Sequence, residues 1–117
     1  MEIKRTEASR VFVVQRPAVR TAQGWIDKYD LTSAALYGRL VDVLPPGNIP
    51  PITGPTVGRI QDALQDYQEH DFLLTLGDPV AIAAAAAIAA RATDGWLQVL
   101  KWDRHNSEYR AYGLDVL

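Results

Sequence analysis

Cysteine is absent from the 117 residues, which excludes a disulfide framework, a thiolate metal site and a cysteine nucleophile, and suits a reducing compartment. Histidine occurs twice, at His70 and His105, both in polar connections. A zinc site or a nucleophile triad needs several converging partners, and two isolated imidazoles supply neither. Ser9, Ser33 and Ser107 lack the glycine setting of a nucleophile elbow. Nothing nominates catalysis, a metal or a cofactor. An excess of basic charge is missing too. A net charge of -2 gives no general pull toward phosphate backbones, so nucleic acid ranks last among partners.

Long hydrophobic runs are scarce. Met1 to Arg10 is charged and lacks the apolar centre of a secretory signal, and it is expected to be disordered. The longest apolar run, Val80 to Ala90, falls well short of the roughly 20 residues that span a bilayer as a helix. A cytoplasmic protein with no membrane partner is the expectation.

What is present is ordinary globular material. Hydrophobic residues make up 48% and charged residues 22%, enough to close one core over one domain of residues 1–117. Val11 to Gln15 is β-branched and aromatic and stops before Pro17, which predicts a strand. The pattern then weakens from Arg16 to Tyr37. Within it, Asp30-Leu31-Thr32-Ser33 is suited to capping a short helical turn over Ala34 to Leu36. Arg39 to Leu44 reads as a second strand. Pro45 to Pro55, with its closely spaced prolines, reads as a stiff exposed loop.

Val57, Ile60, Leu64 and Tyr67 recur at the spacing of one helical face, so an amphipathic helix follows the loop. Phe72-Leu73-Leu74-Thr75-Leu76 is nearly all apolar, as a strand covered on both faces should be. In Gly77-Asp78-Pro79, glycine permits a tight turn, Asp78 suits an N-cap and Pro79 a first helical position. The alanine-rich tract Val80 to Ala90 carries no polar side chain, which predicts a helix buried on more than one side. Gly95 is placed to end it with a left-handed residue. Trp96 to Trp102 then alternates as a strand, and Glu108 to Tyr112 returns beside it as a hairpin. The expected fold is α/β: a small two- or three-layer, mostly parallel sheet with two main helices and a C-terminal antiparallel hairpin.

Two places attract function. Gly77 and Asp78 close a central strand and open a helix, the position where open α/β sheets bind ligands, and Asp103 ends a neighbouring strand. No G-x-G-x-x-G or P-loop pattern supports a nucleotide there, and Asp78 opposes an anion. Asp42, Asp78 and Asp103 are better explained as a strand residue, a cap and a turn former than as converging Mg²⁺ ligands. The second place is the hairpin, where Trp96, Trp102, Tyr109 and Tyr112 interleave with Lys101, Arg104 and Arg110. Core packing is the first account of these aromatics, a protein interface the second and base stacking the third.

From about Asp30 onward, Asp30-Leu31-Thr32-Ser33, Tyr37-Gly38-Arg39-Leu40-Val41, Phe72-Leu73-Leu74-Thr75-Leu76-Gly77-Asp78-Pro79-Val80-Ala81-Ile82 and Val99-Leu100-Lys101-Trp102-Asp103-Arg104 occur in one order. In these the chain resembles a loose group of small α/β proteins of tailed bacteriophages. The resemblance implies a phage accessory protein of the host cytoplasm and carries over no activity and no functional residue. The first 29 residues lie outside it and read as a separate addition. Together these features point to a protein that acts by contact with a host or phage protein, or with itself as a homo-oligomer, near the hairpin or the alanine helix. The alternative is a small-ligand or nucleotide-binding protein using the Gly77-Asp78 crevice.

Overall fold

The computed structural model describes residues 2–46 and 54–117, so most of the proline-rich loop lies outside the described residues. Five strands form one sheet: β1 (Arg10–Gln15), β4 (Arg39–Leu44), β5 (Phe72–Leu74), β6 (Trp96–Asp103) and β7 (Glu108–Asp115), in the order β4-β1-β5-β6-β7. The first four are mutually parallel and β7 is antiparallel to β6. The two inner apolar runs, Val11 to Val14 and Phe72 to Leu74, are wholly enclosed, as continuous hydrophobic strands demand.

Alternate residues of β1 feed two different cores. Phe12 and Val14 join Leu73, Leu97, Ile60, Leu64 and the buried alanines beneath the helices α1 (Gly54–Ala63) and α2 (Pro79–Ala92). Val11 and Val13 face the other way, onto Leu31, Ala34, Phe72, Leu74, Leu100 and Tyr109, with Ile3 and Tyr37 packed against them. Both helices therefore lie on one face, and the other is closed by the N-terminal segment and a 3-10 turn at Ala34–Leu36. The sheet has one helical layer and a thinner, irregular second cover.

Three expectations need correction. The alanine helix is not buried on more than one side: Ala81, Ala85 and Ala89 are enclosed, whereas Ala83 and Ala87 are exposed and Val80 is 57% exposed. One stripe meets the sheet and a flank meets α1, so the outer side faces solvent. The first 29 residues are not an addition, because β1 lies second in the sheet between β4 and β5. Ahead of it, Ser9 is buried, and Lys4 exchanges main-chain bonds with the side-chain amide of Gln98, at 2.5 and 2.8 Å. Third, the weak stretch after Pro17 holds a separate antiparallel pair, β2 (Ala18–Thr21) and β3 (Gly24–Asp27), with Val19 opposite Ile26 and Arg20 over the Trp25 ring.

Candidate functional site

At the carboxyl ends of β1 and β5 the chain departs in opposite senses. The connection after β1 covers the irregular face and leads to β4, while α2 covers the helical face and leads to β6. Such a divergence opens a crevice at a topological switch point, where ligands of open α/β sheets collect. Gly77 lies there, as its sequence position predicts. The crevice is nevertheless filled from within the chain. Gln15 donates its main-chain N–H to Leu76 O at 3.1 Å and its side-chain amide to Pro45 O at 2.9 Å, and its Cβ occupies the space beside Gly77.

Asp78 is equally committed. With extended backbone angles it caps α2, accepting from the N–H groups of Val80 and Ala81 at 2.8 and 3.2 Å. Its carboxylate takes up the donors an anion would have used. Asp103 serves its own turn. It accepts from His105 N–H at 2.9 Å and Asn106 Nδ2 at 2.8 Å, and it meets Arg110 at 3.2 Å. The Asn106 side chain, more than any other contact, holds the Asp103 carboxyl below its ordinary range. Asp42, on β4, pairs with Arg16 at 2.6 Å, and β4 stands three strand spacings from β6, about 14 Å. The three aspartates do not converge. No group of three metal-ligating side chains occurs among the described residues.

The hairpin aromatics divide by depth and by face. Trp96 is buried, with its indole N–H donating to Gln98 Oε1 at 3.2 Å and its ring closed over Gly113. Tyr109 is 4% exposed and packs edge-on against Trp102, 5.0 Å between ring centres. Burial raises the Tyr109 phenol above its usual value. Trp102 and Tyr112 remain 43% and 47% exposed.

Register explains the division. Tyr112 stands opposite Val99 and Leu114 opposite Leu97, and those partners belong to the helical face; Trp102 and Tyr109 stand opposite each other on the other face. Directly opposed residues of an antiparallel pair share a face. Lys101 and Arg110 are likewise opposed, on the helical side and away from the Trp102 face, whereas Arg104 shares an open cleft with Trp102 and Tyr109. Arg110 is further held by Asp103 and Glu108. The strand that carries Tyr112 and Leu114 is the last in the sheet, and among the described residues no strand pairs with its outer side.

The geometry defines a small α/β protein with a four-strand parallel core in the order 2-1-3-4, a filled switch point and one long open edge. Residues 9–116 match the family model described as Phage Pam3 gp32-like protein, and the chain belongs to that family. It is a small phage protein whose family match begins ahead of β1 and runs through Val116. No curated protein and no solved structure matches it. No helix among the described residues is long and apolar enough to cross a membrane.

Proposed function

We propose that this phage protein works by protein contact rather than catalysis, and that β7 is its docking edge. The carrying observation is an eight-residue edge strand, free of proline, that leaves Tyr112 and Leu114 exposed on one face and borders Trp102 on the other. Folded proteins ordinarily shorten, charge, bulge or cover such an edge, because its unpaired N–H and C=O groups accept another strand; β7 carries the charges Glu108, Arg110 and Asp115 but is neither short nor paired with a strand on its outer side among the described residues. Strand addition draws affinity from those groups and specificity from alternate side chains, and Tyr and Trp are the residues that anchor interfaces. The test is complementation of the encoding phage, with its gene deleted, by wild type and by Tyr112→Lys/Leu114→Lys. Loss of progeny with an unchanged melting temperature supports the reading, and full complementation overturns it.

A second reading has one observation in its favour. An open cleft of about 350 Å³ lies at the carboxyl ends of β5 and β6, walled by Thr75, Trp102, Tyr109 and Arg104. It moves the ligand alternative from the filled Gly77-Asp78 turn to its neighbour, where an aromatic wall and a guanidinium suit a small aromatic anion. Mononucleotides, with and without Mg²⁺, are then expected to raise the melting temperature by mass action, and an unchanged value across that set removes this reading.

A further inference from the structure

We propose that the strand docking on β7 is the β7 of a second copy, antiparallel to the first about a two-fold axis at Ala111; this rests on the reading of β7 as a docking edge. A two-fold axis normal to a sheet keeps each face with itself, so residues opposed across it must come from the same face of β7. The axis must then pass through a residue, and three central positions are available.

An axis at Arg110 sets two guanidinium groups directly opposite each other, which like charges disfavour. An axis at Tyr112 pushes Glu108 past the end of the strand, opposite Val116. The axis at Ala111 pairs Glu108 through Leu114 with the same residues of the second copy. Methyl then meets methyl at the centre, so nothing holds the backbones apart. Arg110 of each copy, held by its own Asp103 and Glu108 at 3.2 and 3.8 Å, lies directly opposite the exposed Tyr112 of the other. Tyr109, rigid against Trp102, falls opposite Gly113, whose place on that face is taken by the Trp96 ring. Leu114 lies along the stem of Glu108, and no like charges are opposed.

The two five-stranded sheets become one ten-stranded sheet, and the longer of the two edges disappears. The remaining outer edges are the shorter β4 strands, which carry exposed Arg39 and Asp42.

The absence of cysteine makes the test clean, since an introduced thiol is the only one. Directly opposed residues of an antiparallel pair have Cα atoms about 4.5–5.5 Å apart, inside the range a disulfide spans. The full chain should sediment at twice its 12.9 kDa mass. Ala111→Cys should cross-link to that dimer under mild oxidation, with a melting temperature near wild type, while Arg110→Cys and Tyr112→Cys cross-link poorly. Tyr112→Lys/Leu114→Lys should sediment as a folded monomer.

A wild-type monomer with no Ala111→Cys cross-link overturns the proposal. So does cross-linking at Tyr112→Cys in its place, which shifts the axis, and so does open-ended growth with concentration, which signals β7 pairing with β4 of the next copy. A monomer whose Tyr112→Lys/Leu114→Lys variant still fails in complementation overturns self-pairing alone and leaves β7 docking to another protein.

Discussion

Gly77 and Gln15 touch where their strands part: a Cβ added at Gly77 would stand 2.9 Å from the Gln15 Cβ and 3.2 Å from its carbonyl oxygen. Gly77 also has a φ of +112°, a backbone region that side chains strain to occupy. Both conditions follow from turning β5 sharply into α2 while Gln15 fills the switch point. Gly77→Ala is therefore expected to lower unfolding free energy by about 3 kcal/mol, from forced backbone geometry plus the contact. Urea unfolding checks it. A change within the scatter of ordinary surface substitutions would mean that the turn is not held in this form.

Arg10 and Asp71 fasten the opposite end of the same two strands. The Asp71 carboxylate is fully buried and accepts from Arg10 N–H at 2.8 Å, the Arg10 guanidinium at 2.9 Å and Gln68 N–H at 2.8 Å. Removing it leaves two main-chain donors without their acceptor, while the Arg10 guanidinium keeps the Asp66 carboxylate and carbonyl at 3.0 and 2.9 Å. Asp71→Ala should cost about 3–5 kcal/mol, the range for breaking a buried pair from one side. Arg10→Ala should cost less, because the carboxylate keeps two main-chain donors. Equal losses in urea unfolding would show that the guanidinium, not the backbone pair, holds Asp71 in place.

The centre of this fold was legible because its signals were local and redundant. An all-apolar strand, then glycine, aspartate and proline in that order, leaves little besides a central strand turning into a capped helix. The alanine tract was readable as a helix but not in orientation: alanine is tolerated both inside and outside, so a uniform run does not mark which stripe meets the sheet. The β2–β3 pair escaped because it joins through Ala22-Gln23 rather than Asn-Gly and buries little of Val19 or Ile26. The hairpin aromatics were legible as residues but not as a surface. Whether Trp102 and Tyr112 share a face depends on the β6–β7 register, which composition does not carry.

The Asp103 turn should respond to acid. Hydrogen bonds from Asn106 and His105 to the charged carboxylate hold its folded value below the ordinary one. A depressed carboxyl contributes stability that is complete above its unfolded value, about 3.9, and is lost as pH falls through the folded value below that. Amide resonances of His105 and Asn106 should accordingly stay constant down to about pH 4 and move together beneath it, and Asp103→Asn should remove that step. A wild-type transition centred above pH 5 would contradict a carboxylate stabilised by its own turn.

The one-sided burial of α2 separates two substitutions that look alike on paper. Ala85 has no exposed surface and meets the sheet, so Ala85→Leu forces new volume into a filled layer and should cost about 1–3 kcal/mol. Ala87 lies two residues on, on the solvent side, and Ala87→Lys should stay within about 0.5 kcal/mol in urea unfolding and leave the sedimentation coefficient unchanged. A docking site on the alanine helix would reverse the second result: a lysine set into a covered apolar face would weaken assembly without touching the fold of one chain. Equal stability for Ala87→Lys and wild type, with Tyr112→Lys/Leu114→Lys dissociating, assigns contact to the sheet edge and leaves the outer side of α2 to solvent.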